Sequence, residues 1–210
     1  MKPELLLDEA GIKSTVVLFG VARILEPINK DKARTKTLAG LSKHYEEARK
    51  FAYLMTQESD GQENVIVTSG GPGVMEVSNR GAVDAGGRSI SLDIVLPHEQ
   101  APNSFVTPEL CFNFHYFAIR KMHFLMRAKA ICVFPGGFGI LDEMFEALTL
   151  IQTDRMEPVP FLLFEEKFWR DIINWENLSE AGTFSAEALD LFQFVKIAED
   201  AVEAIQKWKN

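Results

Sequence analysis

Two short segments carry the residue types best suited to hold an anion: Ser69-Gly70-Gly71-Pro72-Gly73 and Pro135-Gly136-Gly137-Phe138-Gly139. Each follows an apolar run directly, Val65–Thr68 and Ala130–Phe134, and Gly20 follows a third, Thr15–Phe19. Glycine at a strand end lets the backbone approach phosphate oxygens, while the helix that follows aims its free N–H groups at them. One such turn also serves as a plain strand-to-helix connection; two glycine triplets are the stronger signal. Neither triplet matches the GxGxxG fingerprint or the GxxxxGK[ST] loop, which disfavours an NAD enzyme and a P-loop NTPase. Ser69 lacks the GxSxG setting of a hydrolase nucleophile, and none of the four histidines, His44, His98, His115 and His123, is identified as its partner.

The elements that must position these turns alternate short β-branched runs with longer amphipathic stretches. Strands are expected at Thr15–Phe19, Val65–Thr68, Ile90–Leu96, Ala130–Phe134 and Pro160–Phe164, with a sixth within Phe192–Ile197. Helices are expected at Asp31–Thr56, Gly73–Ala85, Phe117–Lys129, Ile140–Thr153, Lys167–Glu180 and Asp200–Lys209. This order predicts a Rossmann-like α/β fold with a doubly wound, mainly parallel sheet, whose carboxyl edge gathers the glycine turns. In the helix from Ile140, residues Leu141, Met144, Phe145, Leu148 and Ile151 repeat at helical spacing and face the sheet. Asp142, Glu143 and Glu146 crowd its start, where the helix dipole suits acids and is expected to keep Glu143 ionised. The segment Pro97–Cys111, with three prolines, reads as one long connection.

With 210 residues, 47% of them hydrophobic, the chain supports one substantial core, and a single domain over 1–210 is expected. A net charge of -8 argues against a nucleic-acid or anionic-membrane binder but leaves room for a small anion at a local positive site. Cys111 and Cys132 fit neither a metal-ligand spacing nor a disulfide framework, and Cys132 reads as a buried thiol. No metal and no cofactor is expected. The leucines of MKPELLLDEAG fall short of a signal-peptide core, so a cytoplasmic protein is expected.

The segment SGGPGVMEVSNRGA (Ser69–Ala82), the pair Arg120-Lys121 and PGGFGILDEMFE (Pro135–Glu146) resemble the LOG (LONELY GUY) family, with its GGGxGxM-type turn and PGGxGTxxE motif. LFGVAR (Leu18–Arg23) and LPHEQAPN (Leu96–Asn103) extend the resemblance, which covers about residues 15–165 in the same order and spacing. It implies a homodimer that hydrolyses nucleoside 5'-monophosphates, such as AMP or cytokinin riboside monophosphates, to free base and ribose 5-phosphate. It also implies that Arg120 and Glu143 are the catalytic pair. The substrate-binding residues would then be Lys121, Met75 and Ile140, together with Gly20, Ser69, Gly70, Gly71 and Gly73 from the first strand ends and Gly136, Gly137 and Gly139 from the last. Members of the family have been labelled lysine decarboxylases, but nothing in this sequence independently supports a pyridoxal phosphate site.

The implied chemistry suits the residue types. Cleaving an N-glycosidic bond develops positive charge on the sugar, which a carboxylate at Glu143 stabilises while it orients or deprotonates water. Arg120, a permanent cation, has three roles open to it: holding phosphate, positioning Glu143, or stabilising charge on the departing base. Two positions depart from the family pattern, Val21 where a small hydroxyl residue is usual and Ile140 where threonine is usual. These losses favour the alternative of a non-catalytic nucleotide or cofactor carrier or sensor on the same fold; the retained Arg120 and Glu143 favour the hydrolase.

Overall fold

The computed structural model describes residues 2–95 and 101–208. Leu96 of the third expected strand, His98 and the first part of the proline-rich connection therefore lie outside the described residues, as does Lys209 at the end of the last expected helix. One sheet contains β1 (Thr15–Phe19), β2 (Val65–Thr68), β3 (Ser89–Ile94), β4 (Cys111–Phe114), β5 (Ala128–Val133), β6 (Phe161–Phe164) and β7 (Gln193–Val195). Its order is β4-β3-β2-β1-β5-β6-β7, and every neighbouring pair is parallel. The chain winds from β1 out to β4, then returns to the far side of β1 for β5 to β7. This is the doubly wound Rossmann-like architecture.

Nine helices accompany the sheet among the described residues: α1 (Lys2–Glu9), α2 (Lys36–Gly40), α3 (Lys43–Gln57), α4 (Val74–Asp84), α5 (Phe117–Leu125), α6 (Phe138–Gln152), α7 (Glu166–Ile172), α8 (Trp175–Glu180) and α9 (Ala198–Lys207). The pleat of β1 shows how both sheet faces are filled. Val16 and Leu18 join a core with Phe51 of α3, Val77 of α4 and Ala201 of α9. Val17 and Phe19 join another with Leu7 of α1, Phe124 of α5, Met144 of α6 and Trp169 of α7. Strands buried on both faces explain why their sequences read as unbroken apolar runs.

Four expectations are corrected. The connection before Arg120 contains β4, an edge strand with Phe112 and Phe114 buried and Asn113 exposed; its four residues are too short a pattern to stand out. The helix expected over Asp31–Thr56 is a 3-10 turn (Pro27–Lys32) followed by α2 and α3. Thr35 caps α2 by accepting from Leu38 N, and Gly40, a poor helix former, ends it. The helix from Phe117 stops at Leu125, because Ala128 already pairs with Thr15. The helix expected over Lys167–Glu180 is divided into α7 and α8, the second capped by the Asn174 side chain, which accepts from Asn177 N at 3.0 Å. The sequence reading also missed α1, which Glu4 fastens to His123 and Arg127 at 2.9 and 2.7 Å. No helix among the described residues is long and apolar enough to cross a membrane.

Candidate functional site

The first glycine turn leaves β2 and enters α4 under tight steric control. Gly70 and Gly73 have φ of +72° and +70°, a region that favours glycine. A Cβ on Gly70 would stand 2.1 Å from both Asp93 Oδ1 and Ser91 Oγ, and one on Gly73 would stand 2.8 Å from the backbone of Val21 and Ala22. A buried amide network fixes the turn. Thr68 Oγ1 donates to Asn79 Oδ1 (2.9 Å) and accepts from Gly70 N (3.0 Å), while Asn103 Nδ2 donates to Asn79 Oδ1 (3.0 Å) and Gly70 O (2.9 Å). No side chain caps α4 at Gly73; Val74 N donates to Val21 O at 3.5 Å, and the N–H groups that follow it have no side-chain competitor.

A cleft of about 800 Å³ opens over these elements at the carboxyl edge of the sheet. That volume suits a small ligand. Ser69, Gly70, Gly71 and Met75 line it, as do Asp93 and Ile94 of β3, Asn113 of β4, Asn103, and Arg120 of α5. Strand ends from β1 to β4 and the two helices α4 and α5 thus converge on a single space. Asp93 was missed by the sequence reading, although an acid within the apolar run Ile90–Leu96 was the available signal. Burial pushes its carboxyl above the usual range, against hydrogen bonds from Ser91 and Cys111 and the charge of Arg120. The Cys111 thiol is pushed up to about 12 by burial and by Asp93 beside it.

Arg120 is the cation on the cleft wall, yet it is only 5% exposed. Its Nη2 donates to Glu143 Oε1 at 2.5 Å and its Nη1 to Ser69 Oγ at 3.4 Å, so one guanidinium ties α6 to the glycine turn. The rings of Phe117 and Phe124 lie 5.2 and 5.6 Å from its Cζ. Glu143, also 5% exposed, stands behind Arg120 rather than on the cleft wall. Burial outweighs the helix-dipole effect expected to favour its ionised form. Because α6 begins at Phe138, Glu143 lies in its second turn, and burial raises the carboxyl to about 7 against the opposing pull of Arg120.

The remaining expected residues are placed around this centre rather than in it. Lys121 turns from the cleft to Asp142 (2.9 Å) and Glu146, whose hydrogen bonds raise its pKa although burial opposes them. Gly20 is buried beneath α4, where a Cβ would meet the Val74 side chain at 2.4 Å. Gly136 lies under Ile140, whose Cγ1 would be 2.3 Å from a Cβ there, while Gly137 and Gly139 are exposed. Ile140 itself is the third residue of α6 and packs on the core beside Gly136; it does not line the cleft. The structure thus unites Ser69, Gly70, Gly71, Met75, Arg120 and Glu143, and sets the second glycine turn beside them. Buried Cys132 behaves as expected.

A parallel doubly wound sheet with a glycine-turn cleft and a buried arginine–glutamate pair at its carboxyl edge defines a Rossmann-like α/β protein. The family model described as "possible lysine decarboxylase" matches residues 75–205, and the chain belongs to that family, the LOG family of the sequence resemblance. Among curated proteins nothing matches the chain. Several solved structures share the fold. The structural-genomics target TM1055 superposes with a TM-score of 0.62 at 19% identity, over 93% of this chain and 99% of that one. The molybdenum cofactor carrier protein of Chlamydomonas reinhardtii gives 0.62 at 16%, over 93% and 97%. The molybdenum cofactor binding protein of Rippkaea orientalis gives 0.60 at 18%, over 92% and 96%. At such identities these likenesses show the fold alone.

Proposed function

We propose that the protein hydrolyses the N-glycosidic bond of nucleoside 5'-monophosphates, AMP or cytokinin riboside monophosphates, releasing free base and ribose 5-phosphate. The observation that carries this reading is the buried Arg120–Glu143 pair, with Arg120 open to the cleft and tied to the glycine turn. The phosphate takes the uncapped start of α4 and the Gly70–Gly73 backbone. As the bond between C1' and the base nitrogen breaks, its electron pair leaves with the base, and Glu143 stabilises the positive charge left on the sugar. Water adds to C1', its proton passes to Glu143, and the carboxyl then gives that proton to the base. A carboxyl poised at about 7 suits both transfers. Glu143 Oε2 has no donor among the described residues and is the oxygen left for water. Arg120 orients this carboxyl through Nη2 and reaches the phosphate turn through Nη1.

Lysine decarboxylation through pyridoxal phosphate does not fit these residues. That chemistry needs a lysine amine free to form a Schiff base. No lysine lines the cleft among the described residues, and Lys121 is occupied by Asp142 and Glu146.

The homodimer belongs to the same reading. Around the α5 and α6 starts, Tyr116, Phe117, Ile119 and Met122 are exposed, Phe138 is 93% exposed, and a groove of about 500 Å³ runs along Leu141 and Phe145. Exposed apolar residues of this kind support association, and they lie on the helices that carry Arg120 and Glu143. A non-catalytic carrier or sensor of a nucleotide or cofactor is the second reading. It is favoured by the position of Glu143 behind Arg120, and two of the proteins sharing the fold are described as a carrier and a binding protein for molybdenum cofactor. Incubation with a panel of nucleoside 5'-monophosphates separates the two. Release of free base supports the hydrolase, and tight binding with intact ligand supports the carrier.

A further inference from the structure

The catalytic reading leaves one buried acid of the cleft unused. Asp93, 9% exposed, stands on the wall at the end of β3. Its Oδ1 accepts from Ser91 Oγ at 2.5 Å and its Oδ2 from Cys111 Sγ at 3.3 Å, which together fix the carboxyl plane. Each carboxyl oxygen can accept more than one hydrogen bond, so acceptor capacity remains for a ligand in the cleft.

Its place in the chain shows which part of a ligand it meets. The elements β2, the glycine turn, α4 and β3 form a βαβ unit, with β2 and β3 paired in parallel. Asp93 follows Gly73 by twenty residues. In nucleotide-binding βαβ units the phosphate rests on the turn after the first strand. An acid about 20 residues further on, at the end of the second strand, accepts from the ribose 2'-hydroxyl. Here the glycine spacing differs from that fingerprint, but the placement of turn and acid is the same, and Asp93 Oδ1 lies directly against Gly70. The charge of Arg120 acts on Asp93, so the acid also stands near the guanidinium that orients Glu143, the group proposed to work at C1', one bond from C2'. Sugar hydroxyls are donors, which a carboxyl with spare acceptor capacity can take. The following wall residues, Ile94, Val95, Ala101 and Pro102, are apolar and suit a planar base.

From this placement we propose that Asp93 reads the sugar: its carboxyl accepts from the ribose 2'-hydroxyl, with the 3'-hydroxyl alongside, and selects ribonucleotides over 2'-deoxyribonucleotides. The inference rests on the nucleotide reading of the cleft and adds to it a specificity-determining residue.

The test is calorimetric binding of AMP, 2'-deoxy-AMP, 3'-deoxy-AMP and adenosine to the wild type, Asp93→Ala and Asp93→Asn. Binding is chosen because 2'-deoxy sugars differ intrinsically in glycosidic reactivity. The wild type should bind AMP about tenfold to 100-fold more tightly than 2'-deoxy-AMP, the range of a hydrogen bond to a charged acceptor. In Asp93→Ala that ratio should fall below about threefold while the preference for AMP over adenosine persists. Should Asp93→Ala fail to fold, Asp93→Asn keeps the side-chain volume, and its ratio must still drop several-fold. Equal wild-type affinity for AMP and 2'-deoxy-AMP, or an unchanged ratio in the folded variants, overturns the inference while leaving the nucleotide reading intact. Failure of the wild type to bind any of the four ligands overturns that reading and the inference with it.

Discussion

Replacing Glu143 by glutamine should make the protein both less active and more stable, because the same burial that poises the carboxyl also penalises its charge. The carboxyl rises from 4.5 to about 7 with Arg120 in place. Roughly three quarters of molecules then carry the ionised form at pH 7.5. A carboxyl raised in the folded state contributes stability that is complete below pH 4.5 and is lost as pH rises through 7. The shift corresponds to about 3 kcal/mol lost above pH 7. Glutamine mimics the protonated acid, still accepts from Arg120 Nη2, and does not titrate. Glu143→Gln should therefore be more stable than the wild type at pH 8 by up to about 3 kcal/mol, or roughly 6–12 °C in Tm for a domain of this size. The difference should vanish towards pH 4.5. Activity moves the other way: kcat should fall on the order of 10²- to 10⁴-fold while nucleotide affinity stays within about tenfold. The wild-type kcat/KM should rise with pH to a plateau with its midpoint near 7, and the variant should lack that limb. Thermal melts across pH 4.5–8, paired with steady-state kinetics, read both effects. A variant with near-normal kcat/KM refutes the catalytic assignment, and one destabilised at pH 8 refutes the raised carboxyl.

Arg120→Ala should lower kcat/KM about 10²- to 10³-fold. It also removes the charge that holds Glu143 down, so the pH midpoint of any residual activity should move above 7; a midpoint that moves downward contradicts the pairing. Gly70→Ala forces a Cβ to 2.1 Å from Asp93 and Ser91 at a φ of +72°, and should cost about 1–3 kcal/mol in denaturant melts and weaken nucleotide binding. Wild-type stability in that variant would show the turn to be looser than described. Ile140→Thr should lose about 1 kcal/mol of core packing and change kcat/KM less than about threefold, since Ile140 packs on the core beside Gly136. A tenfold gain would place the new hydroxyl at the substrate.

The sheet was legible because strands buried on both faces must be apolar throughout, and five of the seven stand out on that ground alone. Edge strand β4 was hidden by its Cys-Phe-Asn-Phe alternation, which only a partner at Asp93 and Ile94 turns into a strand. Helix breaks at Gly40 and Asn174 depend on caps and tertiary docking that periodicity does not register. At the site, the motif residues Ser69, Gly70, Arg120 and Glu143 do meet. Sequence pattern could not show that Arg120 bridges the turn to Glu143, because the pair lies 23 positions apart on two helices with β5 between them. Nor could it show how deeply Glu143 is buried: an acid near a helix start looks dipole-stabilised until the helix boundary and the packing above it are known. Lys121 read as a ligand cation for the same reason, its partners Asp142 and Glu146 arriving from another helix.

Phosphoribohydrolase activity is tested most directly by incubating the wild-type protein with AMP, and separately with adenosine, and quantifying products by chromatography. Adenine and ribose 5-phosphate should form from AMP in equal amounts, with adenosine left intact because it lacks the phosphate that the Gly70–Gly73 turn and the start of α4 would hold. AMP recovered unchanged, or adenosine hydrolysed as readily as AMP, would contradict it.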